Sequence, residues 1–234
     1  MRLSISGTAA QGKTTLLDSF LNQWEMYSTP EINYRKLLKS DTHSKNTNKE
    51  TQWSILNHMI DQIETYDEKA NVIFDRCPLD NLVYTMWACH KKVGDIDDAF
   101  VEKCIPIVKE SMKFLDIIFI IPITNVAQSD IEDDGKRETD SEYISEIDNF
   151  FKALYNNWNS EDTRFFPKED RAALIEIFGT TQERLKMLEL YVTTDGGMYG
   201  DEDTLVDTNM LFDEFGYPLL PDDQFEDSGN KTYK

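Results

Sequence analysis

The sequence predicts an α/β fold, a doubly wound parallel sheet of five strands with helices on both faces. Three observations predict it. Apolar runs of strand length recur along the 234 residues, separated by stretches with apolar residues at helical spacing. That alternation calls for parallel strands joined by helical crossovers. A G-x-x-x-x-G-K-T pattern at 7–14 follows the first run and opens the first helical stretch. The runs at 71–75 and 116–122 are largely apolar, as strands buried on both faces require.

In chain order, Arg2-Leu3-Ser4-Ile5-Ser6 reads as the first strand. Residues 14–24 follow as a helix, with Leu16, Leu17, Phe20 and Leu21 on one face. Residues 25–30 read as a short second strand and 31–38 as a helix. The polar stretch 39–49, rich in Ser, Thr, Asn and Lys, reads as a loop. Residues 50–66 carry Trp53, Leu56, Ile60 and Ile63 at helical spacing. The third strand, 71–75, ends in Asp75, and a helix at 79–89 follows Pro78. A helix at 100–114 precedes the fourth strand, 116–122. A strongly charged stretch, 128–142, leads into an amphipathic helix at 142–158. The fifth strand, 172–178, passes through Gly179-Thr180-Thr181 into a helix at 182–191. One domain at 1–194 accounts for these elements.

Residues 195–234 differ in character. Asp201-Glu202-Asp203, Asp222-Asp223 and Glu226-Asp227 make an acidic extension, yet it holds Leu211, Phe212, Phe215, Tyr217, Leu219 and Leu220. Those apolar residues predict that its middle docks, on this domain, on a second copy or on another protein. The end, from about 227, is expected to be disordered.

Composition narrows the function. Twenty-four basic residues against 44 acidic ones give a net charge of −20, which disfavours nucleic-acid binding through a basic face. No apolar run approaches the ~20 residues of a membrane span. Cys77, Cys89 and Cys104 show neither disulfide nor metal-ligand spacing, and with no signal peptide they suggest a reduced, cytoplasmic setting. His43, His58 and His90 form no ligand pattern, and the cluster at 201–203 lacks the spacing of a calcium loop.

The chemistry begins at Gly7-Thr8-Ala9-Ala10-Gln11-Gly12-Lys13-Thr14-Thr15, the Walker A pattern. Gly7 and Gly12 let the backbone curl so that successive N–H groups, Gln11 to Thr15 among them, face phosphate oxygens. Lys13 is expected to reach the β- and γ-phosphates of ATP, and Thr14 to place its hydroxyl on Mg²⁺. The following helix aims its positive end at the same anion. Asp75-Arg76-Cys77-Pro78-Leu79-Asp80 is the second motif. An acid at the end of a buried strand can hold Mg²⁺ and can take a proton from an attacking hydroxyl. Arg76 beside it can grip a polar or anionic substrate bidentately.

Together with Asp134-Gly135-Lys136-Arg137, these motifs resemble those of P-loop nucleoside and nucleotide kinases. The resemblance is strongest to the NadR-type, nicotinamide-riboside-kinase-like family, which includes many phage-encoded relatives. Deoxynucleoside and thymidylate kinases share the acid-Arg strand end more distantly. The resemblance spans residues 1–191, and it implies a helical lid at about 125–142 with Arg137 covering the transferring group. It implies that Glu31 and Arg35 contact the acceptor, although Arg35 falls one residue later than the family pattern. It places Gln52 and Trp53 on the wall of the acceptor pocket and Gly179 near the nucleotide base, and Asp80, in the same segment as Arg76, is a further candidate for acceptor contact. A phage origin would make the setting the host cytoplasm.

The expected activity is transfer of phosphate from ATP–Mg²⁺, before GTP, to a small nucleoside or nucleoside monophosphate. Two other readings stay open: a kinase acting on modified bases or 5′ ends of DNA, and a nucleotide-gated regulatory module without transfer. A hydrolysing motor of the AAA+ kind is disfavoured by the absence of a sensor-arginine pattern and by the short chain.

Overall fold

The structure is a computed structural model that describes residues 1–31, 44–124, 140–158 and 172–198. The chain divides into two units, Met1–Gly197 and Met198–Lys234, and every described residue except Met198 belongs to the first. Its elements are β1 (Arg2–Ser6), α1 (Lys13–Gln23), α2 (Lys49–Thr65), β2 (Val72–Asp75), α3 (Pro78–His90), α4 (Asp98–Ser111), β3 (Ile117–Ile120), α5 (Ser141–Trp158), β4 (Ala173–Glu176) and α6 (Thr181–Leu188). Short 3₁₀ turns occupy Ser44–Asn46 and Met112–Phe114.

The four strands form one parallel sheet in the order β2-β1-β3-β4. Register aligns Leu3 with Ile73 and Ile117, and Ser4 with Phe74 and Ile118. Because side chains alternate across a strand, that register sorts the sheet into two faces. Val72, Phe74, Ile118, Ile120 and Leu174 join one cluster with residues of α2, α3, α4 and α5. Leu3, Ile5, Ile73, Ile117 and Phe119 lie on the opposite face, where α1 packs on β1, β2 and α6. Helices on both faces make the sheet doubly wound, as the sequence pattern requires.

The five-strand expectation is corrected. Among the described residues the sheet has four strands, and the predicted strand at 25–30 shrinks to a single parallel bridge between Ser28 and Val72. Ser28 N–H donates to the Asn71 carbonyl at 3.0 Å, and Ile73 N–H donates to the Ser28 carbonyl at 2.9 Å. The next donor on that edge would belong to Pro30, which has no N–H, so the ladder stops.

The helix starts follow local chemistry. Asn48 caps α2 by accepting from Thr51 N–H, Asp97 caps α4 by accepting from Phe100 N–H, and Thr180 forms a capping box with Glu183 at α6. The described part of the acidic extension is residues 195–198, and within it the Gly196 carbonyl accepts from the buried Tyr27 hydroxyl at 2.7 Å. The predicted helix at 31–38, apart from Glu31, and the rest of the extension lie outside the described residues, as do 125–139 of the predicted lid and 39–43 of the predicted loop at 39–49. No helix among the described residues is long and apolar enough to cross a membrane. All three cysteines are free.

Candidate active site

Parallel strands put every carboxyl end on one edge of the sheet, and the Walker A loop and Asp75 both lie there. Gly7 leaves β1 at φ 133°, Ala10 turns at φ 58°, and Gly12 caps α1 at φ 69°. These positive angles curl the loop back on itself. Gly7 admits no side chain, because a Cβ there would lie 2.7 Å from the Ile121 carbonyl oxygen. Thr8 is fully buried, and its hydroxyl donates to the Ile144 carbonyl of α5 at 3.0 Å, which ties the loop to that helix. Lys13 is buried and donates to the Thr8 carbonyl across the mouth of the loop. Thr14 and Thr15 are exposed at the start of α1, and Gln11 Nε2 donates to the Ala9 carbonyl at 3.4 Å.

The second motif is fastened to the first. Asp75 stands opposite Ile5 in the β1–β2 register, two residues before Gly7, and its side chain is half-buried. Arg76 adopts φ 79°, strained for a residue with a side chain, and such strain gathers at functional sites. Arg76 Nη1 donates to the Gly7 carbonyl and to Asp80 Oδ1, both at 2.8 Å. Asp80 also receives the Gly7 N–H at 3.2 Å, the Ser6 hydroxyl at 2.6 Å and the Cys77 N–H at 3.1 Å. The alternation in β1 explains the fit: Leu3 and Ile5 face α1, while Ser4 and Ser6 face the start of α3. Tyr84, one helical turn beyond Asp80, puts its ring 5.2 Å from the Arg76 guanidinium. Burial, with Asp80 close by, pushes the Cys77 thiol up to about 12, so Cys77 carries no nucleophilic thiolate at neutral pH.

The structure gives two of the predicted site residues buried partners. Asp80, placed toward the acceptor by its motif, is 1% exposed and engaged by four donors, from Ser6 at the end of β1, Gly7, Arg76 and the Cys77 N–H that precedes α3. It organises the site from beneath. Gln52 is likewise buried: its Oε1 accepts from Asn81 at 2.7 Å and Thr85 at 3.3 Å, and its Nε2 donates to Thr47 at 2.8 Å. That amide braces α2 against α3. Trp53 packs toward α4, with its ring 6.2 Å from that of Phe100 and 3.8 Å from the Lys103 ammonium.

Gly179 sits at φ 90° after β4, where a Cβ would lie 2.5 Å from Glu183 Oε2. Glu31 is exposed at the end of the first described stretch, while Arg35 and Arg137 lie outside the described residues. The residue that sequence reasoning missed is Arg184 of α6, whose Nη1 donates to the Gln11 carbonyl at 2.6 Å. Nothing local marks it, since an arginine beside a glutamate in a short helix reads as a solvated pair. In α5, Asp148 accepts from Ile123 N–H at 2.9 Å and pairs with Lys152 at 2.6 Å, fixing the stretch that follows β3.

The donor set suits magnesium and a polyphosphate. The half-buried Asp75 carboxylate and the exposed Thr14 hydroxyl are hard oxygen donors at one sheet edge. Among the described residues no group of three or more His, Cys, Asp or Glu side chains forms a cage. Magnesium beside a nucleotide does not need one, because phosphate oxygens and water complete its octahedron.

Solved structures share this fold. The chain is similar to deoxyadenosine kinase from M. mycoides with dCMP and dCDP bound, at a TM-score of 0.58 and 15% identity over 80% of this chain and 96% of that one. It is similar to NadR in complex with NAD and AMP-PNP, at 0.54 and 12%, covering 80% of this chain and 48% of NadR, so it spans about half of that protein. It is also similar to thymidylate kinase from Candida albicans, at 0.52 and 12% over 80% and 89% of the two chains. At these identities the likeness is one of fold, that of P-loop nucleoside and nucleotide kinases. No curated protein matches the sequence. The family model described as an AAA domain matches residues 2–166. That description names a domain, a broader matter than the motor activity the sequence disfavours. By that match over most of its length, the chain belongs to the AAA domain family.

Proposed function

We propose that the protein transfers the γ-phosphoryl group of ATP, in the presence of Mg²⁺, to a nucleoside or nucleoside monophosphate. The observation that carries this reading is the fastening of the Asp75-Arg76 strand end to the Walker A loop through Gly7 and Asp80. A phosphate cradle alone suits any nucleotide-binding protein; a carboxylate and an arginine fixed beside it suit one that delivers phosphate to a hydroxyl.

Backbone N–H groups between Gly7 and Thr15, with the end of α1, hold the phosphates. Lys13 places its ammonium over them, exchanging its Thr8 contact for phosphate oxygens. Thr14 and Asp75 would hold Mg²⁺, which when bound neutralises charge across the β- and γ-phosphates. Asp75 accepts the proton of the acceptor hydroxyl. Arg76, aimed by Asp80 and flanked by Tyr84, orients the acceptor. Glu31 and Arg35 contribute to acceptor binding, Gly179 gives backbone contact near the base, and Arg137 closes over the transferring group. The M. mycoides enzyme and NadR were solved with nucleotides bound, which supports a small-molecule acceptor here. A narrower placement among NadR-type kinases, phage-encoded ones included, rests on the segment Asp134-Gly135-Lys136-Arg137. A small-molecule acceptor also agrees with the net charge of −20.

The test is ADP release from ATP–Mg²⁺ with nicotinamide riboside, deoxynucleosides, their monophosphates and a 5′-hydroxyl DNA oligonucleotide. One nucleoside or monophosphate should stimulate turnover, and Lys13→Ala should reduce it at least ~100-fold with an unchanged circular-dichroism spectrum. Stimulation by the oligonucleotide alone would transfer the reading to a DNA kinase. A flat panel despite tight ATP binding would make the protein a nucleotide-gated binding module.

A further inference from the structure

Among the described residues, Lys13, Arg76 and Arg184 bring positive charge to the Walker A loop in a chain of net charge −20. Arg76 is neutralised by Asp80. Arg184 differs. It is 6% exposed, and among the described residues no carboxylate lies within ion-pair distance of it. Its Nη1 donates to the Gln11 carbonyl, while its Nε is buried without a hydrogen-bond partner. A Cβ on Gly12 would lie 3.5 Å from Nη1, so the guanidinium rests against the last turn of the loop before Lys13. Burial holds Arg184 below the ordinary arginine range, the mark of a charge deprived of water.

A buried guanidinium with one carbonyl contact is costly, and a full anionic partner offsets that cost. The nearest place for such a partner is the phosphate cradle that Arg184 already touches. We propose that Arg184 is a positioning residue for the nucleotide: through Gln11 it fixes the turn that carries the Gly12 and Lys13 N–H groups, and bound phosphate balances its charge. The geometry also couples the two ends of the nucleotide site, because Arg184 lies one helical turn beyond Thr180, in the capped turn that follows Gly179. This inference rests on the reading that a nucleoside triphosphate binds at the Walker A loop.

The experiment compares the full chain with Arg184→Gln and Arg184→Lys. It measures the Kd of a fluorescent ATP analogue with Mg²⁺, the KM values for nucleotide and acceptor, and the thermal midpoint with and without nucleotide. Arg184→Gln should weaken nucleotide binding ~10-fold or more, leave the acceptor KM within about twofold, and leave the nucleotide-free midpoint unchanged or raised. Arg184→Lys should recover part of the affinity, since it restores charge without the planar fork. A nucleotide-free midpoint that falls while affinity holds would show a structural brace only and overturn the proposal. Equal affinity in wild type and Arg184→Gln would overturn it as well, with the kinase reading intact. If the wild type binds no ATP analogue, the nucleotide reading fails and takes this inference with it.

Discussion

Asp80 receives four donors on its two oxygens, from Ser6, Gly7, Arg76 and Cys77, and all of them are buried. Removing that carboxylate leaves the Arg76 guanidinium buried beside the Gly7 carbonyl with its charge uncompensated. Asp80→Ala should therefore destabilise the fold by about 3–5 kcal/mol, read by urea unfolding, and should weaken nucleotide binding through the displaced loop. A loss below ~1 kcal/mol would contradict the clamp. Lys13 and Asp75 were legible in the sequence because each follows from a local pattern, a glycine-lysine turn and an acid closing an apolar run. The role of Asp80 was not, because its partners Ser6 and Gly7 lie 74 and 73 positions away. Arg184 was hidden for the same reason, 173 positions from Gln11. The bracing contacts of Gln52 were hidden too, because an amide in a pocket-facing segment and an amide bracing two helices look alike until the helices are packed.

Among the elements, β1 runs into the Walker A loop and Ile121, the residue after β3, packs against it. The Ile121 N–H donates to the Ser6 carbonyl at 3.0 Å, and the Ile121 carbonyl occupies the space a side chain on Gly7 would need. Gly7→Ala would meet both the 2.7 Å contact with backbone and a φ of 133°. It should cost about 2 kcal/mol or more in unfolding free energy and abolish nucleotide binding, checked by calorimetry and titration. A variant as stable and as active as the wild type would show that the loop has another geometry. Long helices and fully buried strands could be read from the sequence because their periodicity is strong: α2, α3 and α5 fall within about one residue of their predicted bounds. The edge strand could not, because its length turned on one missing N–H at Pro30.

Over the whole molecule, the net charge of −20 and the exposed ion pairs set opposing responses to acid. Lys49 holds the Asp97 carboxyl below its ordinary 3.8, Lys45 does the same for Asp140, and Lys91 holds Glu146 below 4.5. Carboxylates lowered by folding contribute stability above their ordinary range and lose it as pH falls through it. Burial raises Glu176, whose contribution has the opposite sign: it favours the fold at low pH and is lost as pH rises. Protonation from neutral pH downward also relieves self-repulsion. The thermal midpoint should therefore rise slightly from pH 8 toward about 5 and fall below about 4, with the acid limb flattened by salt because the pairs are exposed. A midpoint that climbs steadily to pH 3 would contradict the sign. The arrangement of the sheet, two strand ends and one loop at a single edge, makes Asp75 the test of the whole account. The decisive measurement is nucleotide affinity and acceptor phosphorylation, by titration and mass spectrometry, on one preparation each of wild type and Asp75→Asn. The account predicts ATP binding within about tenfold of wild type, with phosphorylated acceptor reduced at least ~100-fold. Phosphorylation at the wild-type rate by Asp75→Asn would contradict it.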